Sequence, residues 1–250
     1  MGHHFIVEAS IDPASPVILT GSKAHHAFRV LRLRVGDKVS VADGQGSGYW
    51  AQIAHISPEK VVLEIRDRRP SPEPRHQVIL IQGWPKGDKL DLIIEKGTEL
   101  GVHSIFVVQT QRSIPRPPLE AQERRKERWQ RKALAAAQQS RRHWVPRIEG
   151  PLSLLQALDL LPPHTFLLVP WEEEKQRDLR QALSLWEFQP VGLFIGPEGG
   201  FSQEEIEIIR EKGGLTVTLG PRILRTETAS LACLSVIMYV LGEFSYWREE

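Results

Sequence analysis

The chain reads as an α/β protein, with a small β-rich domain followed by a larger domain in which strands alternate with helices. Three observations carry that reading. Short β-branched runs separated by turn residues fill positions 1–68. Residues 69–76 then hold three prolines and read as a stiff linker. Beyond them, continuous apolar runs of the kind found in covered parallel sheets alternate with helical segments. A length of 250 residues fits one or two domains. The boundary is expected between residues 72 and 73, giving domains 1–72 and 73–250.

In the first domain the expected strands are Phe5-Ile6-Val7, Val17-Ile18-Leu19, Val39-Ser40-Val41, Tyr49 to Ile56 and Val61 to Ile65. Asp43-Gly44 and Gly46 to Gly48 are turn chemistry. One helix is expected from Lys23 to Leu31, capped by Ser22. In the second domain, strands are expected at Val78 to Ile81, Ile105 to Val108, Phe166 to Val169, Val191 to Ile195 and Leu215 to Leu219. A helix opened by Asp88 runs through Leu100 and ends at Gly101. A long helix spans Leu119 to Gln139. Ser202 with Glu205 forms a capping box for a helix that stops at Gly213-Gly214. An apolar helix from Thr226 to Leu241 closes the series.

Hydrophobic residues at 41% and charged residues at 25% are ordinary globular composition, which excludes disordered, collagen-like and coiled-coil chains. A single cysteine, Cys233, excludes a disulfide framework and any cysteine-cluster metal site. The first twenty residues lack a signal-peptide pattern, and Ile6 breaks the myristoylation pattern that Gly2 would begin. The most apolar stretch, Ala229 to Leu241, is too short to span a bilayer. A soluble, cytoplasmic protein without a membrane or metal partner is expected. The chain contains no Asn and has 22 Arg against 10 Lys, which fits either a hot habitat or a GC-rich genome.

The net charge of +1 hides an asymmetry: residues 112–147 carry +8 and residues 148–250 carry −8. Arginine dominates the basic segment, and guanidinium forks suit phosphate oxygens. Arg112, Arg141 and Arg142, together with Arg32 and Arg34 of the small domain, are expected to meet nucleic-acid phosphates. The alternative is a solvated helix face. The pairs His3-His4 and His25-His26 lack metal-ligand spacing. Trp129, Trp144 and Trp171 serve either base stacking or core packing, with packing the commoner use.

The motifs that carry chemistry are two glycine-proline loops. Gly196-Pro197-Glu198-Gly199-Gly200 follows one core strand, and Gly220-Pro221-Arg222-Ile223-Leu224-Arg225-Thr226-Glu227 follows another. Ligands of open α/β sheets bind beyond the carboxyl ends of strands, where both loops lie. Neither is a dinucleotide fingerprint or a phosphate loop. Singly, each reads more readily as a structural turn.

In tandem, and in this order, the two loops resemble the ribosomal RNA small subunit methyltransferase E family, of the SPOUT class of trefoil-knotted methyltransferases. The similarity continues through Lys86-Gly87-Asp88-Lys89, Ile94 to Val102 and Gln111-Arg112-Ser113, and through His25-His26, Val30-Leu31-Arg32 and Val35-Gly36-Asp37 of the small domain. Gln138-Gln139-Ser140-Arg141-Arg142 departs from the family's E-Q-S-G-R. The resemblance implies a PUA-like first domain, a SPOUT second domain and a homodimer, with Leu231 to Leu241 as a dimer face. It also implies methyl transfer from S-adenosylmethionine to N3 of a uridine in 16S ribosomal RNA, free or within the small subunit. The cofactor contacts it implies are Leu168, Val169, Gly196, Pro197, Glu198, Gly200, Leu219, Gly220, Pro221, Ile223, Leu224 and Thr226. Arg225 is implied to stabilise the anionic uracil ring, with Glu198 and Glu227 orienting Arg225 or the cofactor. The alternative for Arg225 is a structural ion pair with one of those carboxylates, and no residue stands out as a general base. Methylation of another RNA position, a non-enzymatic RNA-binding module and an unrelated nucleotide-binding enzyme remain the rival readings.

Overall fold

The computed structural model describes residues 2–245, which divide into two compact units. The first comprises the chain up to Glu73 together with Ala137–Val145; the second comprises Pro74–Ala136 and the chain from Pro146 onward. The return of residues 137–145 to the first unit is a feature that a single cut at 72/73 does not represent.

The first unit is a five-stranded sheet of β1 (His4–Ile6), β2 (Val17–Thr20), β3 (Lys38–Ala42), β4 (Gly48–Ile56) and β5 (Lys60–Arg68), in the order β1-β3-β4-β5-β2. β1 pairs parallel to β3 and the other pairs are antiparallel. Alternation puts Ala51 and Ile53 of β4 in a core with Phe5, Leu19, Val41 and Leu63, and leaves Trp50 outside. The Asp43 turn forms as expected, its carboxylate accepting the N–H groups of Gln45 and Ser47 at 2.7 and 3.0 Å.

The helix expected at Lys23–Leu31 begins earlier. Thr20, the last residue of β2, is its extended N-cap, and Gly21 turns the chain at a φ of 58° that only glycine adopts readily. Ser22 is therefore inside α1 (Gly21–His25) rather than its cap, and the helix continues as a π-turn over His26–Val30.

The second unit is a wholly parallel six-stranded sheet. Its strands are β6 (Val78–Gly83), β7 (Ser104–Val108), β8 (Arg147–Leu152), β9 (Phe166–Pro170), β10 (Val191–Ile195) and β11 (Leu215–Val217), in the order β11-β9-β10-β6-β7-β8. Five helices connect them, α2 (Lys89–Glu99), α3 (Leu119–Gln139), α4 (Leu154–Asp159), α5 (Leu179–Leu183) and α6 (Gln203–Glu211), and α7 (Thr226–Val240) follows the last strand. β6, β7 and β10 are buried along their whole length, as their unbroken apolar runs require. α2 ends in a Schellman motif: Gly101 N–H donates to Thr98 and Val102 N–H to Gly97, with Gly101 at φ 96°. α6 has the expected capping box, with Ser202 and Glu205 bonding reciprocally at 2.9 and 3.2 Å.

The linker is tied at both ends within its own units. Glu73 accepts from Arg142 and from the N–H groups of His143 and Trp144 in the first unit. Glu243 accepts from Arg75 N–H, His76 N–H and His76 Nδ1 in the second.

Candidate active site

β10 ends at Ile195, and the first loop turns back on itself, with Gly200 N–H donating to Pro197 at 2.9 Å. Pro197 packs against Gly83 at the end of β6. A Cβ on Gly83 would stand 2.5 Å from the proline ring, so the loop reaches this position only over glycine. A buried polar network then joins the two loops. Ser230 Oγ donates to Gln82 Oε1 at 2.5 Å, Gln82 Nε2 donates to Thr226 Oγ1 at 2.9 Å, and Thr226 Oγ1 donates to the Gly196 carbonyl at 2.6 Å. Every member has its partner, so the network fixes geometry instead of leaving buried polar atoms unsatisfied.

The expected strand Leu215–Leu219 stops at Val217, and Thr218 and Leu219 turn out of the sheet to line a cavity of about 740 Å³. All the predicted cofactor positions on both loops line it, from Gly196, Pro197, Glu198 and Gly200 to Leu219, Gly220, Pro221, Ile223, Leu224 and Thr226. Arg225 lines it too, exposed at the N-cap of α7. Leu168 and Val169 do not: both are buried in β9, and the lining begins one residue later, at Pro170. Sequence reasoning missed Trp171, Glu172, Glu174, Lys175 and Thr218, which also line the cavity. β9 lies between β10 and β11, so the rule that ligands sit beyond strand carboxyl ends applied equally to its loop.

That third wall is held by hydrogen bonds and a cation-π contact. Glu174 accepts from Thr216 Oγ1 at 2.6 Å and from Gln176 N–H at 2.8 Å, and these bonds hold its carboxyl down at about 2. Arg210 donates to Thr216 at 3.0 Å and lies over the Trp171 ring, 5.0 Å from its centroid.

The carboxylates expected beside Arg225 are engaged elsewhere. Lys89 donates to Glu198 at 2.6 Å, and Lys86 N–H reaches both Glu198 oxygens at 3.2 and 3.3 Å. Burial pushes the Glu198 carboxyl upward, but the Lys89 hydrogen bond and nearby backbone N–H groups outweigh it and hold the carboxyl below its ordinary value. Glu227 does not line the cavity; its Oε2 is buried, accepts no hydrogen bond and faces Lys89 at 3.9 Å. Arg225 makes an ion pair with neither carboxylate.

The basic residues separate into two kinds. Arg32 and Arg34 are exposed in the first unit, and Arg141, at φ 60°, is partly exposed there. Arg112 is exposed in the second unit and donates to the Gly199 carbonyl at 2.9 Å. Arg142 is a correction: it is buried, and its Nε and Nη2 bond Glu73 at 2.9 and 2.7 Å, so its guanidinium ties the linker to residues 137–145 within the first unit. In α3, Arg128 and Lys132 pair with Asp91, and Lys132 with Glu95, so part of the +8 segment is neutralised locally. Trp129 is buried against Trp84, and Trp171 alone of the three tryptophans considered lines the cavity.

The cavity's chemistry fits a methyl donor of the adenosyl type. Leu219, Ile223, Leu224 and Ala229 offer apolar contact to a flat heterocycle, and the glycine loops offer backbone donors and acceptors. Gly220, at φ 90°, has nothing within 4 Å of where a Cβ would lie, so its bare backbone faces open space.

Comparison with known proteins agrees. The model of an RNA methyltransferase domain matches residues 71–238, and that of an RNA methyltransferase PUA domain matches residues 19–66. The fold and the site thus define an RNA methyltransferase with a PUA-like domain in front. The chain belongs to the ribosomal RNA small subunit methyltransferase E family. The Bacillus subtilis protein of that name is 36% identical over 247 residues, covering 96% of both chains. The one from Synechocystis is 31% identical over 96% of this chain and 78% of its own. The crystal structure of the Neisseria gonorrhoeae enzyme bound to S-adenosyl methionine has a TM-score of 0.86 at 27% identity, covering 98% of this chain and all of that one.

Proposed function

We propose that this protein transfers the methyl group of S-adenosylmethionine to N3 of one uridine in 16S ribosomal RNA, acting in the cytoplasm as a homodimer. The observation that carries the reading is the convergence of both glycine-proline loops on one cavity whose lining includes Arg225, which pairs with neither Glu198 nor Glu227. The Neisseria relative, solved with S-adenosyl methionine, supports the cofactor.

When bound, S-adenosylmethionine supplies an electrophilic methyl group on a sulfonium. The chain's task is then positioning and charge stabilisation. The two loops and the Trp171–Lys175 wall hold the donor. Uracil N3–H is a weak acid, so the attacking form carries negative charge on the ring, and Arg225 places a guanidinium where that charge develops. Glu198 and Glu227 stand at the site as carboxylates that face Lys89. Arg32, Arg34, Arg112 and Arg141 hold RNA phosphates. On α7, Val236, Tyr239 and Val240 are exposed while Leu234, Ile237 and Met238 are buried, which supports an outward dimer face.

The test is transfer of an isotope-labelled methyl group from S-adenosylmethionine to small ribosomal subunits, followed by nucleoside analysis. Label in 3-methyluridine is expected. Sedimentation equilibrium is expected to give twice the chain mass.

A further inference from the structure

Lys89 is the first residue of α2, its side chain about one-third exposed, and it does not line the cavity. Its ammonium faces two carboxylates, at 2.6 and 3.9 Å. One is Glu198, on the cavity wall that Arg225 shares; the other is Glu227, two residues beyond Arg225 on α7. Glu198 is bound from two sides, by Lys89 and by Lys86 N–H. Glu227 Oε2 is buried without a hydrogen bond, so the charge facing it is that of Lys89. A buried carboxylate oxygen needs a counter-charge or a donor.

We propose that Lys89 is a positioning residue that engages Glu198 and Glu227 so that the Arg225 guanidinium stays free for the substrate. This rests on the assignment of Arg225 as the group that meets the anionic ring. A guanidinium already paired with a carboxylate has its charge cancelled and its donor fork occupied. It then offers a dipole where a full charge is needed. With Lys89 removed, both carboxylates lose that cation, and Arg225 lines the same cavity as Glu198 and precedes Glu227 by two residues. Lys89 acts only through them, because it does not line the cavity.

The experiment measures single-turnover methyl transfer to small ribosomal subunits by the full chain, with cofactor affinity measured separately by calorimetry. Lys89→Met is expected to slow transfer by about tenfold or more while cofactor affinity changes by less than about twofold. Lys89→Arg is expected to keep most of the rate, since the charge is retained. Lys89→Met combined with Glu198→Gln is expected to run about fivefold faster than Lys89→Met alone, because a competing carboxylate is gone. Added to Arg225→Ala, Lys89→Met is expected to change little. Should Lys89→Met fail to fold in a thermal melt, Lys89→Gln, which keeps donors without charge, gives the same readout. Normal transfer by Lys89→Met, or no relief from Glu198→Gln, overturns the proposal and leaves the assignment of Arg225 standing. Normal transfer by Arg225→Ala overturns that assignment and the proposal with it.

Discussion

Arg225 takes the N-cap position of α7 with an extended backbone, and its side chain makes no capping hydrogen bond. Truncating it therefore removes a guanidinium without removing a helix cap. Arg225→Ala is expected to lower methyl transfer by roughly 10²–10³, or about 3–4 kcal/mol in the transition state. Cofactor and RNA affinities should be nearly unchanged. Lys at this position should recover only part, because a point charge does not reproduce the planar fork. The two loop glycines differ in what a side chain would do. At Gly220 a Cβ meets open space but φ is 90°, which costs about 1–3 kcal/mol for other residues. At Gly196 a Cβ would stand 3.0 Å from the Gly200 backbone. Gly220→Ala should thus weaken cofactor binding by calorimetry with the first loop intact, whereas Gly196→Ala displaces that loop.

A second residue-scale prediction concerns pH. His143 is fully buried with neither ring nitrogen hydrogen-bonded, and His4 stacks beside it at 6.2 Å. Burial, then the positive charge of Arg69 and of His4, lowers His143 from 6.5 to about 4; burial likewise takes His4 to about 4 despite its bond to the Arg142 carbonyl. Both pKa values are depressed in the folded chain, so the stability they confer is present above pH 6.5. It is lost as pH falls from 6.5 to about 4, where the unfolded chain binds protons that the folded chain refuses. Glu174 adds a loss of the same sign only lower, from 4.5 towards about 2. Melting temperature should fall between pH 7.5 and 4.5, and His143→Met, which forfeits no hydrogen bond, should make that fall shallower. An unchanged slope would contradict the account.

At the scale of elements, the strands with strong runs were legible because one physical cause, burial of both sheet faces, writes itself into consecutive residues. β8 was not, since Arg147-Ile-Glu-Gly-Pro-Leu152 mixes charge, glycine and proline, which a sheet tolerates at the edge it occupies. α4 and α5 are short, yet each opens on a capping box, Ser153 with Gln156 and Asp178 with Gln181, a signal the sequence contained. The cavity's two loops were legible from glycine and proline chemistry, and its third wall was not, because Trp171 to Lys175 bear no such mark. Arg142 looked like a phosphate ligand because its partner, Glu73, lies 69 residues away in sequence. Removing one partner of a buried ion pair typically costs about 3–5 kcal/mol. Glu73→Ala should therefore lower the chemical denaturation midpoint of the first unit sharply, whereas Arg141→Ala should leave it near the original.

Across the whole molecule, the +8 of residues 112–147 divides into charge paired within the fold and exposed charge, and the exposed part is what is available to phosphates. RNA affinity should fall linearly with the logarithm of salt concentration, since each neutralised phosphate releases counterions. Reversing Arg32, Arg34 and Arg141 together should flatten that slope by about one per lost phosphate contact, with cofactor affinity unaffected. A slope that does not change would return these residues to a solvated surface. The central claim, that these loops and Arg225 methylate a uridine ring nitrogen of small-subunit RNA, is tested most directly by mass-spectrometric mapping of 16S ribosomal RNA. The RNA comes from a strain lacking the gene, with and without purified protein and S-adenosylmethionine. The account predicts one uridine that gains 14 mass units as 3-methyluridine only when the protein is added, and not when Arg225→Ala replaces it over the same brief reaction. A methyl group on a ribose hydroxyl or a ring carbon, or no gain at all, would contradict it.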